Sequence, residues 1–343
     1  GAVTVLGAIV VDFIWRPSHL PQPGETVLAP TYSTHPGGKG ANQALASSRA
    51  GARTRMIGVI GDDAMGPISL QEMDRAGVDI STVQRKVGVP TGASAVIVHG
   101  DTGENQICVG VGANKYVCAD QFDKACLADT CILVLQMEIP LEQNWLAVKQ
   151  AKAQGIQVVV NVAPAGLIPE EALNEIDFLV VNEEEARCLV ELYEERVRLW
   201  CENNNKPVVK TKHWDANGGI AAARTSLMAL SAVFNTTVII TLGPAGAEAF
   251  TAPSAANLHG WVSVSALDIK CVDTVGAGDA FVGSFVAGLA VGDSLEKCMQ
   301  RGAVAGSLAC TKHGAQEGAP TASEININIS NVVLQNAEEP PSK

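Results

Sequence analysis

Three features of the sequence predict a doubly wound α/β fold, in which a mostly parallel sheet is flanked by helices. Short continuous apolar runs alternate with Ala-rich helical stretches through most of the chain, as expected of strands covered on both faces. Of 343 residues, 47% are hydrophobic and 17% charged, enough for a large core. Aromatics are only 4% while glycines number 33, a balance that suits helices packed closely on a sheet and does not suit disorder.

In chain order, strands are expected at Thr4–Val10, Met56–Ile60, Ile132–Gln136, Val158–Val162, Phe178–Val181 and Val238–Leu242. Helices are expected at Ala41–Ala50, Leu141–Ala153, Glu183–Val190, Ala280–Ala290 and Ser294–Thr311. Such alternation makes parallel crossovers, and ligands then bind beyond the carboxyl ends of the strands. Two segments break the pattern. One is the Pro/Thr/Tyr-rich Pro21–His35; the other is the pair of runs Ala93–His99 and Asn105–Gly110 around the turn Gly100-Asp101-Thr102-Gly103, which reads as a β-hairpin. Together they form either a small β-sheet lid, about residues 13–36 and 91–112, or a pair of edge strands. The stretch 193–235 reads as a surface insertion or an elaborated crossover. The whole of 1–343 is expected to be one α/β domain.

A formal charge of −12 argues against nucleic acid as a partner, since phosphate backbones are bound by clustered Lys and Arg. Nucleotides stay open, because a local nest of N–H groups suffices for them. No run approaches the roughly 20 apolar residues of a membrane span. Nine cysteines without a Cys-x-x-Cys pair, and six histidines without ligand spacing, read as reduced thiols in a cytoplasmic protein with no His/Cys metal cage. Gly1 stands in place of a starting Met, which implies a trimmed or processed chain. The closing Pro341-Ser342-Lys343 is one Leu short of a peroxisome-type address, so a chain continuing to Ser-Lys-Leu would be organellar.

Residues 273–281, Asp-Thr-Val-Gly-Ala-Gly-Asp-Ala-Phe, carry the most chemistry. Gly276 and Gly278 form a turn feeding an apolar helix, and such a turn leaves unpaired backbone N–H groups that suit a phosphate. Asp279 adds a carboxylate beside that anion seat. Taken alone it could merely favour the helix dipole; beside a phosphate cradle it can take the proton from an attacking hydroxyl. A second Gly-rich turn, Gly37-Gly38-Lys39-Gly40-Ala41-Asn42-Gln43-Ala44, enters another helix. Its glycines let a ligand approach the backbone, and Lys39 and Asn42 offer hydrogen-bonding groups. Walker A spacing is absent.

With Asn182-Glu183-Glu184-Glu185 and Thr241-Leu242-Gly243-Pro244-Ala245-Gly246 between them, these motifs make the chain resemble the ribokinase/PfkB family of carbohydrate and nucleoside kinases from about Val3 to Pro320. The resemblance implies transfer of the ATP γ-phosphoryl group to a sugar's 5-hydroxyl, with Asp279 as general base and Gly276, Ala277 and Gly278 as anion hole. It implies a sugar site of Val10, Asp12, Gly38, Lys39, Gly40, Asn42 and Glu138. Asn182 and Glu185 would organise Mg²⁺ and phosphates through water, while Thr241, Gly243, Gly246, Gly278 and Ala303 would line the ATP pocket. A monovalent cation, K⁺, would sit at Asp273, Val275, Ala309, Lys312, Gly314 and Gly318. The lid would exclude water and supply a homodimer interface. Lys39 and Gln43 in this context imply ribose, because relatives acting on nucleosides or fructose carry other residues there. Another pentose, a deoxysugar, a nucleoside, or a non-catalytic sugar-binding role are the alternatives.

Three departures stand out from that pattern. Val10-Val11-Asp12 replaces Asn-x-Asp, Ala303 replaces Asn or His near the base, and Glu317-Gly318 replaces Pro-Ser in the cation loop.

Overall fold

A nine-stranded sheet forms the centre of the computed structural model, which describes residues 1–100, 105–208, 211, 214, 219–252, 260–338 and 340. Six strands run parallel in the order Thr237–Thr241, Phe178–Val181, Gln157–Asn161, Thr130–Leu135, Ala2–Leu6 and Thr54–Ile57. These are the six apolar runs expected from sequence, with ends shifted by a few residues. Val10, expected to close the first strand, instead opens a separate one, Val10–Trp15. Three further strands, Ala247–Phe250, Trp261–Val264 and Leu334–Ala337, extend the sheet antiparallel beyond Thr237–Thr241. At four residues each they carry too short a pattern to be read as strands.

Side chains alternate across the pleat and so build two cores. Leu133, Leu135, Val158, Val160, Leu179 and Val238 face one core, while Ile132, Val134, Val159, Val180 and Ile239 face the other. The first core is covered by helices Leu141–Lys152, Glu183–Leu192, Glu194–Asn203 and Gly219–Phe234, the second by Lys39–Arg49, Ala277–Ala290 and Leu295–Ala309. Of the stretch 193–235, Val197, Cys201, Trp214, Leu227 and Phe234 are buried in the first core, so its described part packs as a crossover to Thr237–Thr241.

One contact in the second core brings the two Gly-rich motifs together. Helix Ala277–Ala290 turns Gly283 onto helix Lys39–Arg49, where a Cβ would lie 2.5 Å from Ala46 Cβ and 2.8 Å from the Gln43 carbonyl oxygen. Only a missing side chain lets the two helices approach this closely.

A separate four-stranded sheet, in the order Tyr32–Gly37, Val10–Trp15, Gly92–Val98 and Asn105–Gly110, stands over the strand ends. The expected hairpin is present as the antiparallel pair Gly92–Val98 and Asn105–Gly110, its tip 101–104 lying outside the described residues. Within Pro21–His35 only Tyr32 onward is strand. Val10, Asp12 and Ile14 and, in register, Ser94 and Val96 line a cleft shared with Lys39 and Asp279, whereas Phe13, Trp15 and Tyr32 stack in a row on the opposite face.

Candidate active site

Three clefts join end to end where the parallel strands finish. The first, about 510 Å³, lies beneath the small sheet and is lined by Val10, Asp12, Gly38, Lys39, Asn42 and Glu138 among others. The second, about 230 Å³, is lined by Asn161, Asn182, Glu185, Thr241, Gly276 and Gly278. The third, about 500 Å³ and more apolar, runs along Gly243, Gly246, Leu267, Ile269, Phe281 and Ala303. Lys39, Thr274, Gly276 and Asp279 border both the first and the second, and Gly278 borders the second and the third. Asp279 therefore stands at the junction of a polar cleft with a phosphate-sized one.

Its position follows from the local chain. Gly276 is in the left-handed region, φ 78°, and caps the helix Ala277–Ala290, so Asp279 falls on the first turn. Gly278, expected in the turn, is already helical. A Cβ at Gly278 would meet nothing within 4 Å, so this face is open to a ligand. The Ala277 N–H turns back to Thr274 O at 3.3 Å, a long bond compared with the usual 2.9–3.0 Å. Asp279 is buried, and both its oxygens accept amide hydrogens: Oδ2 from Asn42 Nδ2 at 3.0 Å, Oδ1 from Gln43 Nε2 at 2.9 Å.

The first cleft concentrates charge. Glu138 Oε2 accepts from the Lys39 N–H at 2.9 Å, and Asp12 accepts from Ser94 Oγ. Burial pushes the carboxyls of Asp12 and Glu138 above their ordinary pKa values. Asp279 first, then Glu138 and Glu185, raises the Lys39 ammonium above its ordinary value, against the effect of burial. A cleft of carboxylates, one ammonium and amides suits a polyol, whose hydroxyls both donate and accept.

Gly40 is the one expected sugar contact that lines none of the three clefts. It is buried, and a Cβ there would lie 2.8 Å from Ala8 N, so this glycine seats the helix on the segment after the first strand. Gln43 is also buried and lines none of the clefts. Its contacts are with Asp279, Asn161 and Gln136, so its link to sugar choice is indirect at most.

Asn182 and Glu185 form a reciprocal capping box: Oδ1 of Asn182 accepts from Glu185 N, and Oε2 of Glu185 from Asn182 N, both at 2.8 Å. Burial raises the Glu185 carboxyl above its ordinary range. One carboxylate oxygen of Glu185 stays available toward the second cleft. Among the described residues no cluster of three His, Cys, Asp or Glu could cage a metal ion. The donors fit a Mg²⁺ ion held chiefly by phosphate oxygens and water.

Asp273 ties the two halves of the expected K⁺ loop together. Its Oδ1 accepts from Val275 N at 3.0 Å and its Oδ2 from Gly314 N at 3.2 Å. A Cβ at Gly318 would lie 2.9 Å from both Ala309 O and Gly314 O, which already accept from Lys312 N at 3.3 Å and Gly318 N at 3.1 Å, so this glycine lets the loop close tightly. The Lys312 side chain points elsewhere, to Glu324 at 3.3 Å.

Sequence reasoning missed the groups behind the site. Gln136, Asn161 and Gln316 are buried amides joined to Gln43 or Asn42, and His35 of the small sheet meets Glu317 at 3.0 Å. A polar residue closing an apolar run, as at Gln136 and Asn161, is the sequence signal of these groups.

Residues 2–322 match the pfkB family of carbohydrate kinases. A ribokinase of Schizosaccharomyces pombe is 33% identical over 94% of this chain and 96% of its own length. A deoxyribokinase of Salmonella typhimurium is 29% identical, over 96% of this chain and 98% of its own. The structure of Arabidopsis thaliana ribokinase complexed with ribose and ATP superposes with a TM-score of 0.78 at 27% identity, covering 96% of this chain and 98% of that one. No helix among the described residues is long and apolar enough to cross a membrane. The chain belongs to the pfkB family of carbohydrate kinases, phosphotransferases that use an alcohol group as acceptor.

Proposed function

We propose that this protein is an ATP-dependent ribokinase, converting D-ribose and ATP to D-ribose 5-phosphate and ADP. The carrying observation is Asp279, a buried carboxylate bordering the polar cleft and the phosphate-sized cleft at once. The sugar's 5-hydroxyl oxygen attacks the γ-phosphorus, its proton passes to Asp279, and the bond from γ-phosphorus to the β-bridging oxygen breaks as ADP leaves. Gly276 and Gly278 present N–H groups and the positive helix end to the migrating phosphoryl group, where charge stabilisation dominates catalysis, and the Ala277 N–H joins them by leaving its long bond to Thr274 O. Asp12, Lys39, Asn42 and Glu138 hold the hydroxyls. Thr241, Gly243, Gly246 and Ala303 accommodate the nucleotide. Mg²⁺ supplies neutralisation of phosphate charge when bound; Asn182 and Glu185 are the residues to hold it, through water. Asp273, with the backbone of the loops at Val275 and Gly314, would hold a K⁺ ion, whose charge would stiffen the turn leading to Gly276.

The ribose assignment is supported by the relatives named ribokinase and by the Arabidopsis complex with ribose and ATP. A similarly distant relative is named deoxyribokinase, so 2-deoxyribose is the sugar to compare. The test is ADP release with ATP across pentoses, deoxypentoses, hexoses and nucleosides. D-ribose should give the highest kcat/KM; preference for a nucleoside or hexose, or no ADP with any acceptor, would overturn the assignment. The chain is further read as one α/β domain whose lid, 13–36 and 91–112, supplies a homodimer interface in the cytoplasm. Light scattering on the purified protein checks the dimer.

A further inference from the structure

A carboxylate on the first turn of a helix rotates broadly about its terminal torsion. To serve as a base it must keep one lone pair aimed at the incoming hydroxyl, so both oxygens need fixed donors. Asn42 and Gln43, consecutive on one helix, supply them. They are not equivalent. Asn42 lines the polar cleft, whereas Gln43 is wholly buried and lines none of the three clefts.

Every polar atom of the Gln43 side chain is engaged. Its Nε2 donates to Asp279 Oδ1 at 2.9 Å and to Asn161 Oδ1 at 3.0 Å, and its Oε1 accepts from Gln136 Nε2 at 2.7 Å. Asn161 is oriented by its own Nδ2, which donates to Val180 O at 3.1 Å, and the Gln136 carbonyl accepts from Asn144 Nδ2 at 2.6 Å. Rotating the Gln43 amide by half a turn would set oxygen against oxygen at both Asp279 and Asn161. Three strand ends, at Gln136, Asn161 and Val180, thus fix one amide in one orientation.

We propose that Gln43 is the positioning residue for the base, transmitting the register of the central sheet to the Asp279 carboxylate. The inference rests on Asp279 being the general base. It assigns Gln43 to turnover and not to sugar binding. Lys39, Asp12, Glu138 and Glu185 also act electrostatically on this region, yet none of them donates to Oδ1.

The test uses the full chain with D-ribose and ATP. Gln43→Met keeps length and removes the donor; Gln43→Glu keeps shape, removes the donor and adds a like charge. Turnover should fall about 10²-fold in Gln43→Met, the scale of a small misplacement of reacting groups, with both KM values within about threefold of wild type. Gln43→Glu should fall at least as far. Near-UV circular dichroism and ADP affinity report the fold. Normal kcat in either folded variant, or a loss expressed in KM alone, overturns the proposal. If Gln43→Met fails to fold, Gln43→Glu decides. Asp279→Asn separates the two readings. If it is inactive while Gln43→Met is normal, only the positioning role fails; if it turns over normally, the base assignment fails and this role with it.

Discussion

Asn42 and Asp279 lie 237 residues apart in sequence, yet Nδ2 of one donates to Oδ2 of the other at 3.0 Å inside the protein. The bond joins the two Gly-rich motifs into one site, because Asn42 also borders the polar cleft and Asp279 the phosphate-sized one.

Removing the base should stop turnover without removing the pocket. Asp279→Asn is expected to lower kcat by at least about 10²-fold, the usual scale for a general base. ADP affinity by calorimetry should stay near wild type, since the anion seat is backbone. Near-normal kcat would refute the role.

The helix contact beneath the site is equally testable. Gly283→Ala puts a methyl group 2.5 Å from Ala46 Cβ, and overpacking of this kind costs about 1–3 kcal/mol. The helices must part, lengthening the Asn42 and Gln43 bonds to Asp279. Lower kcat together with a lower urea midpoint is expected; a lower midpoint with unchanged kcat would show that the helix spacing does not govern the base.

The polar cleft sacrifices stability for binding. Burial raises Asp12 and Glu138 above 3.8 and 4.5, so the folded state holds their protons more tightly than the unfolded chain. For a raised pKa the stabilising contribution is full below the unfolded value and is lost as pH rises through the folded one. Unliganded Asp12→Asn and Glu138→Gln should therefore melt above wild type near pH 7, with the gap closing toward about pH 4. Scanning calorimetry at both pH values checks this, and a gap independent of pH contradicts it.

Potassium should activate the enzyme, and Gly318 should control by how much. Gly318→Ala forces a methyl group to 2.9 Å from the carbonyls of Ala309 and Gly314 and spreads them. The ratio of rates in potassium and in tetramethylammonium should fall toward one. Equal rates in both salts for the unmodified protein would remove the cation site from the account.

Away from the site, Glu248 accepts from Arg224 Nη2 at 2.6 Å, Arg224 Nε at 3.0 Å and Trp261 Nε1 at 3.0 Å. The pair is largely buried, so Glu248→Ala takes a carboxylate away from both the Arg224 guanidinium and the Trp261 indole N–H and should cost up to about 3–5 kcal/mol in denaturant unfolding. Below the transition its kcat should match wild type, because the pair joins the antiparallel extension to a flanking helix.

The amino-acid sequence by itself determined the parallel half of the sheet and the helix start after Asn182, while the helix behind Gly276 was placed about one turn too late. Those signals lie within a few consecutive residues: an apolar run such as Val158–Val160, a run of glutamates such as Glu183–Glu185 opening a helix, a glycine pair before Asp279. Only the tertiary structure decided that Val10–Trp15 leaves the first strand for the small sheet, and that four-residue strands such as Ala247–Phe250 extend the large one. It alone brought Gln43 to Gln136 and Asn161, and His35 to Glu317. The reason is physical: a buried amide or ion pair is satisfied by whatever packing carries across to it, and no local period records which distant partner that will be.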